Sequence, residues 1–274
     1  MTQGKDPEQM PMYIDAHTHP NIYAYKRFGI SQKDLINDIE KTGIISIANS
    51  LDIASYRKNR ILQSKCAYIF ASFGIHPWKA PKYTAKLGKI EALIEKNELI
   101  GEIGLDRFFV SDRENYEAQV RIFSFFLSRC REKLISVHTK GAEREALEML
   151  KRSGNSRVLI HWYSGDRDTL KEMISRDYYF TVGPEILVSE KIRSIAKTIP
   201  ENRLLTETDN PGGPESIYGR TFMPDLVKRV VRVLAKIRSA DRDELKNRIF
   251  NNFIEASADL SLCRKIKFLS PGKY

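Results

Sequence analysis

The sequence predicts an α/β chain of the (β/α)8 barrel class, and three observations predict it. Eight short apolar runs alternate with amphipathic stretches along the 274 residues, the pattern of strand–helix units that build a parallel sheet. Most runs are apolar throughout rather than alternating, as strands buried on both faces require. Each run closes on a marker residue: His19, Asn49, His76, Glu102, His138, His161, Gly183 and Asp209. The markers fall 22 to 36 residues apart, the length of one βα unit. A doubly wound open sheet shares the alternation, but it would gather its polar strand ends at one switch point. The expected fold is therefore a TIM barrel, with its site at the C-terminal ends of the strands.

The elements follow in order. Residues 13–19 form the first strand, and Pro20 stops it. Ser31 caps a helix running to Thr42, with Asp34 as its third-position acid, Leu35, Ile36 and Ile39 as its apolar stripe, and Gly43 as its stop. Residues 44–48 make the second strand, and a helix carrying Tyr56, Ile61 and Leu62 follows. The third strand spans 68–75 and ends at His76-Pro77; residues 87–97 are helical. The fourth strand is 99–104. A long helix covers 113–131, with Phe123, Phe125 and Phe126 directed to the core. Strands at 134–138, 158–161, 179–182 and 204–207 alternate with helices at 143–151, 166–175 and 189–197. Helices at 224–238 and 241–260 close the chain. With no linker, repeat or low-complexity stretch, residues 1–274 read as a single domain, 1–11 being a flexible N-terminal extension.

Composition narrows the function. Cys66, Cys130 and Cys263 are odd in number, widely spaced and in no CxxC pair, which argues against a disulfide framework or a thiolate zinc site. A reducing, cytoplasmic location is the simplest expectation. The polar N-terminus is unlike a signal peptide, and no apolar run approaches the roughly 18 residues a membrane span needs. The net charge of +10 favours an anionic partner such as nucleic acid. Twelve bases against six acids from Asp225 onward form either a nucleic-acid patch or a solvated helix face.

The chemistry lies in the histidines. The chain has five, His17, His19, His76, His138 and His161, and each falls at the C-terminal end of an expected strand. His17 and His19, two apart in an extended chain, face one side and can reach one point. Glu102 interrupts an apolar strand, and Asp209 follows the last. Imidazole and carboxylate without thiolate suit zinc, manganese, iron or nickel, and magnesium less well. Six candidate ligands suit two divalent ions rather than one tetrahedral ion, and a water between two ions loses a proton near neutral pH. Two ions, two carboxylates and a hydroxide leave a net charge of about +1, which favours an anionic substrate such as a phosphodiester.

These motifs resemble the TatD family of metal-dependent deoxyribonucleases, within the amidohydrolase superfamily. The resemblance runs from Tyr13 to about Phe253. It rests on Asp15-Ala16-His17-Thr18-His19, Gly74-Ile75-His76-Pro77-Trp78, Gly101-Glu102-Ile103-Gly104-Leu105-Asp106, His138-Thr139-Lys140-Gly141-Ala142, His161-Trp162-Tyr163-Ser164-Gly165 and Thr206-Glu207-Thr208-Asp209. It implies that His17 and His19 hold the first metal and that Glu102 bridges to a second, completed by His138 and His161. It also implies that Asp209 binds near the first metal and takes the proton of the attacking water, while Glu207 orients water or a ligand. His76 and Lys140 are implied on the substrate side. The implied activity is cleavage of DNA phosphodiester bonds by a metal-bound hydroxide. The alternative is a two-metal ester or amide hydrolase, such as a D-aminoacyl-tRNA deacylase. A nucleic-acid-binding protein with a vestigial site is a third reading, which the full ligand set opposes.

Several residues depart from the resemblance. Trp78 stands where many relatives carry a polar residue, and Lys140 replaces a frequent arginine, a point charge for a bidentate fork. Arg107 replaces a common aromatic, and residues 210–213 read as a loose loop. Asp106 is a partner for a ligand or a turn residue, and Trp162 and Tyr163 either stack on a base or pack at the rim.

Overall fold

A computed structural model describes residues 12–24 and 28–269; the expected N-terminal extension, 1–11, lies outside them. The apolar runs form short, largely buried strands: β1 (Ile14–Thr18), β2 (Ile45–Ala48), β3 (Ile69–Ala71), β4 (Leu99–Gly104), β5 (Leu134–His138), β6 (Val158–Ile160), β7 (Tyr179–Val182) and β8 (Leu204–Thr206). Neighbours are parallel, in two runs ordered β1-β2-β3 and β4-β5-β6-β7-β8. Both edges join. The Phe73 N–H donates to Leu99 O at 3.1 Å, and the Gly101 N–H to Phe73 O at 2.9 Å. Across the other seam, the Asp209 N–H donates to His17 O at 2.9 Å and the His19 N–H to Asn210 O at 2.7 Å. The two runs therefore close into a barrel, and the doubly wound alternative falls away.

The ladder slips twice. Asp15 pairs with Ser46 and Thr18 with Ala48, so three steps on β1 face two on β2. Ile100 pairs with Ile135 and Ile103 with Val137, again three against two. Each slip leaves an extra residue that bends the strand and re-aims its side chains. The bulged stretches carry His17 and Glu102. Convergence of His17 and His19 thus does not rest on regular strand alternation, because β1 ends at Thr18 and is bulged before it.

Helices fill the connections: α1 (Gln32–Thr42), α2 (Ile53–Lys65), α3 (Leu87–Glu95), α4 (Arg113–Leu127), α5 (Glu143–Ser153), α6 (Arg167–Ile174), α7 (Glu190–Thr198), α8 (Gly212–Tyr218), α9 (Leu226–Arg238), α10 (Arg242–Ala256) and α11 (Ser261–Leu269). Their starts follow the caps. The Ser31, Asp112, Asp166 and Asp241 side chains each accept a backbone N–H of the first turn. Two expectations need correction. Residues 210–213 do not form a loose loop: Pro211 precedes α8, and the Gly213 N–H bonds Asp209 O at 2.9 Å. The last helix does not run to 260. It ends at Ala256, and the Glu98 carboxylate accepts the N–H and hydroxyl of Ser261, starting α11.

The core fills the barrel and the space beneath its helices. Phe123 and Phe126 on α4 are fully buried, and Phe126 lies against Phe73 with ring centroids 5.8 Å apart. Phe125 is only partly buried. Ile61, by contrast, is 54% exposed on the outer face of α2. Phe126→Ala should cost about 3–5 kcal/mol through the cavity it leaves, and Ile61→Ala less than about 0.5 kcal/mol. Urea unfolding of the two variants checks the contrast, and equal midpoints would contradict it.

Candidate metal centre

The strand ends bring all five histidines to one mouth of the barrel. Glu102, on the bulge of β4, stands between them with its two oxygens facing different partners. Its Oε2 lies 3.3 Å from His17 Nε2 and 3.2 Å from His19 Nε2. Its Oε1 lies 2.7 Å from His138 Nδ1, 3.3 Å from His76 Nε2 and 3.9 Å from His161 Nε2. Asp209 Oδ1 joins the first group, 3.2 Å from His19 Nε2 and 3.9 Å from His17 Nε2. The His161 ring stacks on that of His17 at 3.6 Å.

Backbone makes this packing possible. A Cβ on Gly74 would lie 2.4 Å from the backbone N and O of Glu102, so only glycine lets the chain approach there. Asp209 has φ of +50°, a left-handed conformation uncommon outside glycine, and it turns the carboxylate inward. Gly213 leaves room for it, since a Cβ there would meet Asp209 Oδ2 at 2.6 Å.

The outward nitrogens are held by the protein. His19 Nδ1–H donates to Asn49 O at 3.0 Å, and His161 Nδ1–H to Glu207 Oε2 at 2.6 Å. His17 Nδ1 is hydrogen-bonded to the Ser136 hydroxyl at 2.8 Å, and His138 Nε2–H donates to Asp106 Oδ2 at 3.0 Å. Such anchoring fixes each ring and its tautomer, leaving the opposite nitrogen directed at the cluster. His17 Nε2 and His19 Nε2 are only 3.3 Å apart. Two lone pairs that close repel unless a cation or a proton sits with them. This donor set therefore fits a divalent cation, and three groupings can hold one: His17, His19 and Asp209; His17, His161 and Glu207; and His76, Glu102 and His138.

The electrostatics agree. Burial works against a charged His19, but the Asp209 and Glu102 carboxylates override it and push the imidazole up to about 10. Burial likewise opposes charge on His138, and Asp106 and Glu102 raise it to about 9. His17 goes the other way, down to about 3, through burial and the facing His161. Burial opposes ionisation of Glu102, yet the surrounding imidazoles hold it well below the carboxylate range. Asp209 is also lowered against its burial, chiefly by His19. Without a metal ion, the cluster keeps protons on His19 and His138, where positive charge is wanted.

The structure gathers His17, His19, Glu102, His138, His161 and Asp209 as the sequence suggested. It brings His76, expected on the substrate side, into the cluster as well, within ligand distance of Glu102 and His138. Glu207 stands behind His161, with Oε2 also accepting the Thr181 hydroxyl at 2.5 Å, so it orients a candidate ligand. Asp106 plays both roles considered for it, taking His138 on Oδ2 and the Phe109 N–H on Oδ1 at 2.7 Å. Tyr163 is a packing residue, buried with its hydroxyl on Asp166 O. Lys140 stays outside the cluster, its Nζ 3.1 Å from Ser164 Oγ. Ser136 and Thr181 join the site without a motif to mark them; the signal in the sequence is a lone polar residue in an apolar strand, two before His138 in the first case. Among the basic residues after Asp225, Arg238 caps the Ala196 and Ile199 carbonyls and Arg248 pairs with Glu201. These contacts precede β8, at the end of the barrel opposite the centre.

Raised values for His19 and His138 mean that both carry protons at pH 7 before a metal binds, and an entering cation must displace them. Manganese binding at pH 7 should release protons, and affinity should fall as pH falls. Titration calorimetry in buffers of different ionisation enthalpy reads this; a binding heat independent of buffer would contradict it.

Comparison with known proteins identifies the family and the fold. Residues 14–256 match the family model described as TatD related DNase. A Methanocaldococcus jannaschii protein named as an uncharacterized metal-dependent hydrolase is 30% identical over 246 residues, covering 88% of this chain and 94% of its own. The deoxyribonuclease TATDN3 of Homo sapiens is 24% identical over 74% of this chain and 79% of its own. In structure, the TatD homolog YJJV of Escherichia coli superposes with a TM-score of 0.79 at 23% identity, covering 89% of this chain and 97% of that one. The chain belongs to the TatD-related DNase family and is a metal-dependent hydrolase.

Proposed function

We propose that this protein cleaves phosphodiester bonds of DNA with two divalent metal ions. The observation that carries the reading is Glu102, whose two oxygens face two separate sets of imidazoles. His17, His19, Asp209 and Glu102 Oε2 would hold one ion; Glu102 Oε1, His138 and His161 would hold the other. Zinc, manganese, iron or nickel suits these ligands, and magnesium less well. Bound there, a metal pair supplies Lewis acidity, easing loss of a proton from water and sharing charge that develops on the phosphate.

The chain's own residues do the rest. The Asp209 carboxylate, ionised and aimed inward, accepts the proton of the attacking water. Glu207 fixes His161 through Nδ1 and acts as a positioning residue. We read His76 Nε2, beside Glu102, and Lys140 Nζ, beside Ser164, as the groups that would contact a phosphate oxygen. Attack at phosphorus breaks the ester P–O bond, leaving one product with a terminal phosphate and the other with a hydroxyl. The human relative named as a deoxyribonuclease and the net charge of +10 support DNA as the substrate. We read residues 1–274 as one hydrolase domain. No helix among the described residues is long and apolar enough to cross a membrane. The three cysteines are buried and free, which supports a cytoplasmic setting.

Single-stranded DNA incubated with manganese or magnesium should be cut, chelation should stop the reaction, and Glu102→Ala should lower the rate by about 100-fold or more. Absence of cleavage with every metal, alongside hydrolysis of carboxylic esters or aminoacyl-tRNA, would replace this reading with the ester hydrolase.

A further inference from the structure

Three of the large apolar side chains exposed on this protein stand together beside the metal centre. Trp78 is 48% exposed, Phe108 67% and Phe109 63%. Their rings form a continuous row. Trp78 and Phe109 meet edge to face with centroids 5.6 Å apart, and Phe109 and Phe108 do so at 4.8 Å. The row is tied to the site at one end. The Trp78 indole lies 4.6 Å from the His76 ring, and its N–H donates to Asp106 Oδ2 at 2.8 Å, the oxygen that holds His138. At the other end the Lys140 ammonium lies 5.6 Å from the Phe108 ring. Phe108, Phe109 and Lys140 line one cleft.

Isolated exposed apolar residues are ordinary, but a contiguous aromatic row beside a polar site marks a ligand surface. Its chemistry narrows the ligand. Flat π surfaces next to a fixed cation match a nucleobase followed by its phosphate. A base inside a duplex has both faces covered by its neighbours, so it must leave that stack to lie against a protein ring. We propose that Trp78, Phe108 and Phe109 form a stacking rim that selects DNA with an unpaired base next to the scissile phosphate. The inference rests on the phosphodiesterase reading above and adds to it the three side chains that would hold the base beside the cut. Asp106 makes the rim and the centre one unit, because the same carboxylate sets Trp78, the Phe109 backbone and the His138 ring.

The test compares three oligonucleotides of equal length: a single strand of thymidines, the same strand with abasic sites at its end, and a blunt duplex. Binding is followed by tryptophan fluorescence and cleavage by product analysis with manganese. The comparison uses wild type and a Phe108→Leu/Phe109→Leu double variant, which keeps apolar bulk and removes the π faces. Wild type should bind and cut the thymidine strand about tenfold or more better than the other two. The double variant should lose that preference while keeping its metal content and melting temperature. Equal treatment of the thymidine and abasic strands by a cleaving wild type overturns the rim and leaves the nuclease reading standing. Base-dependent binding without cleavage under any metal supports the rim and overturns the nuclease reading.

Discussion

Removing the Glu102 carboxylate from water costs several kcal/mol, and the barrel recovers that cost only by surrounding it with imidazoles. Its two oxygens face opposite sets of nitrogens, so the cost and the recovery define a centre with two halves. Much of the surrounding backbone serves this placement. The bulge in β4 turns Glu102 inward, Gly74 gives way to its backbone, and the seam at Phe73 and Gly101 fixes β4 against the first run of strands. A closed barrel is what allows side chains from four other strand ends to reach one carboxylate.

Around that pair of halves lies a layer that decides orientation. Ser136, Asn49, Asp106 and Glu207 each take one nitrogen of a histidine and leave the other to the centre. The layer also divides labour between the carboxylates. Glu207 is fully buried behind His161, whereas Asp209, turned into the cluster through a left-handed backbone, keeps 15% of its side chain exposed. Asp106 extends the same logic outward to the aromatic rim, so substrate selection and metal geometry share a support.

Much of this was legible in the sequence. Five histidines at four strand ends, with Glu102 inside an apolar run and Asp209 after the last, carry positional information that survives without coordinates. Strand periodicity and caps such as Ser31 and Asp112 are local signals, and local signals read well. What stayed hidden depends on non-local pairing. The two bulges exist only relative to β2 and β5, and the start of α11 depends on Glu98, 163 residues away. His76 could be placed on the right face but not at its distance from Glu102. Trp78 was visible only as a departure; its meaning came from Phe109 beside it.

Glu102 is the group that would join two cation sites. The most direct measurement is anomalous diffraction from crystals grown with manganese. Two peaks are predicted, one between Glu102 Oε2, His17, His19 and Asp209, the other against Glu102 Oε1 and His138, with both lost in Glu102→Ala. A single peak away from Glu102, or two peaks that survive its removal, would contradict it.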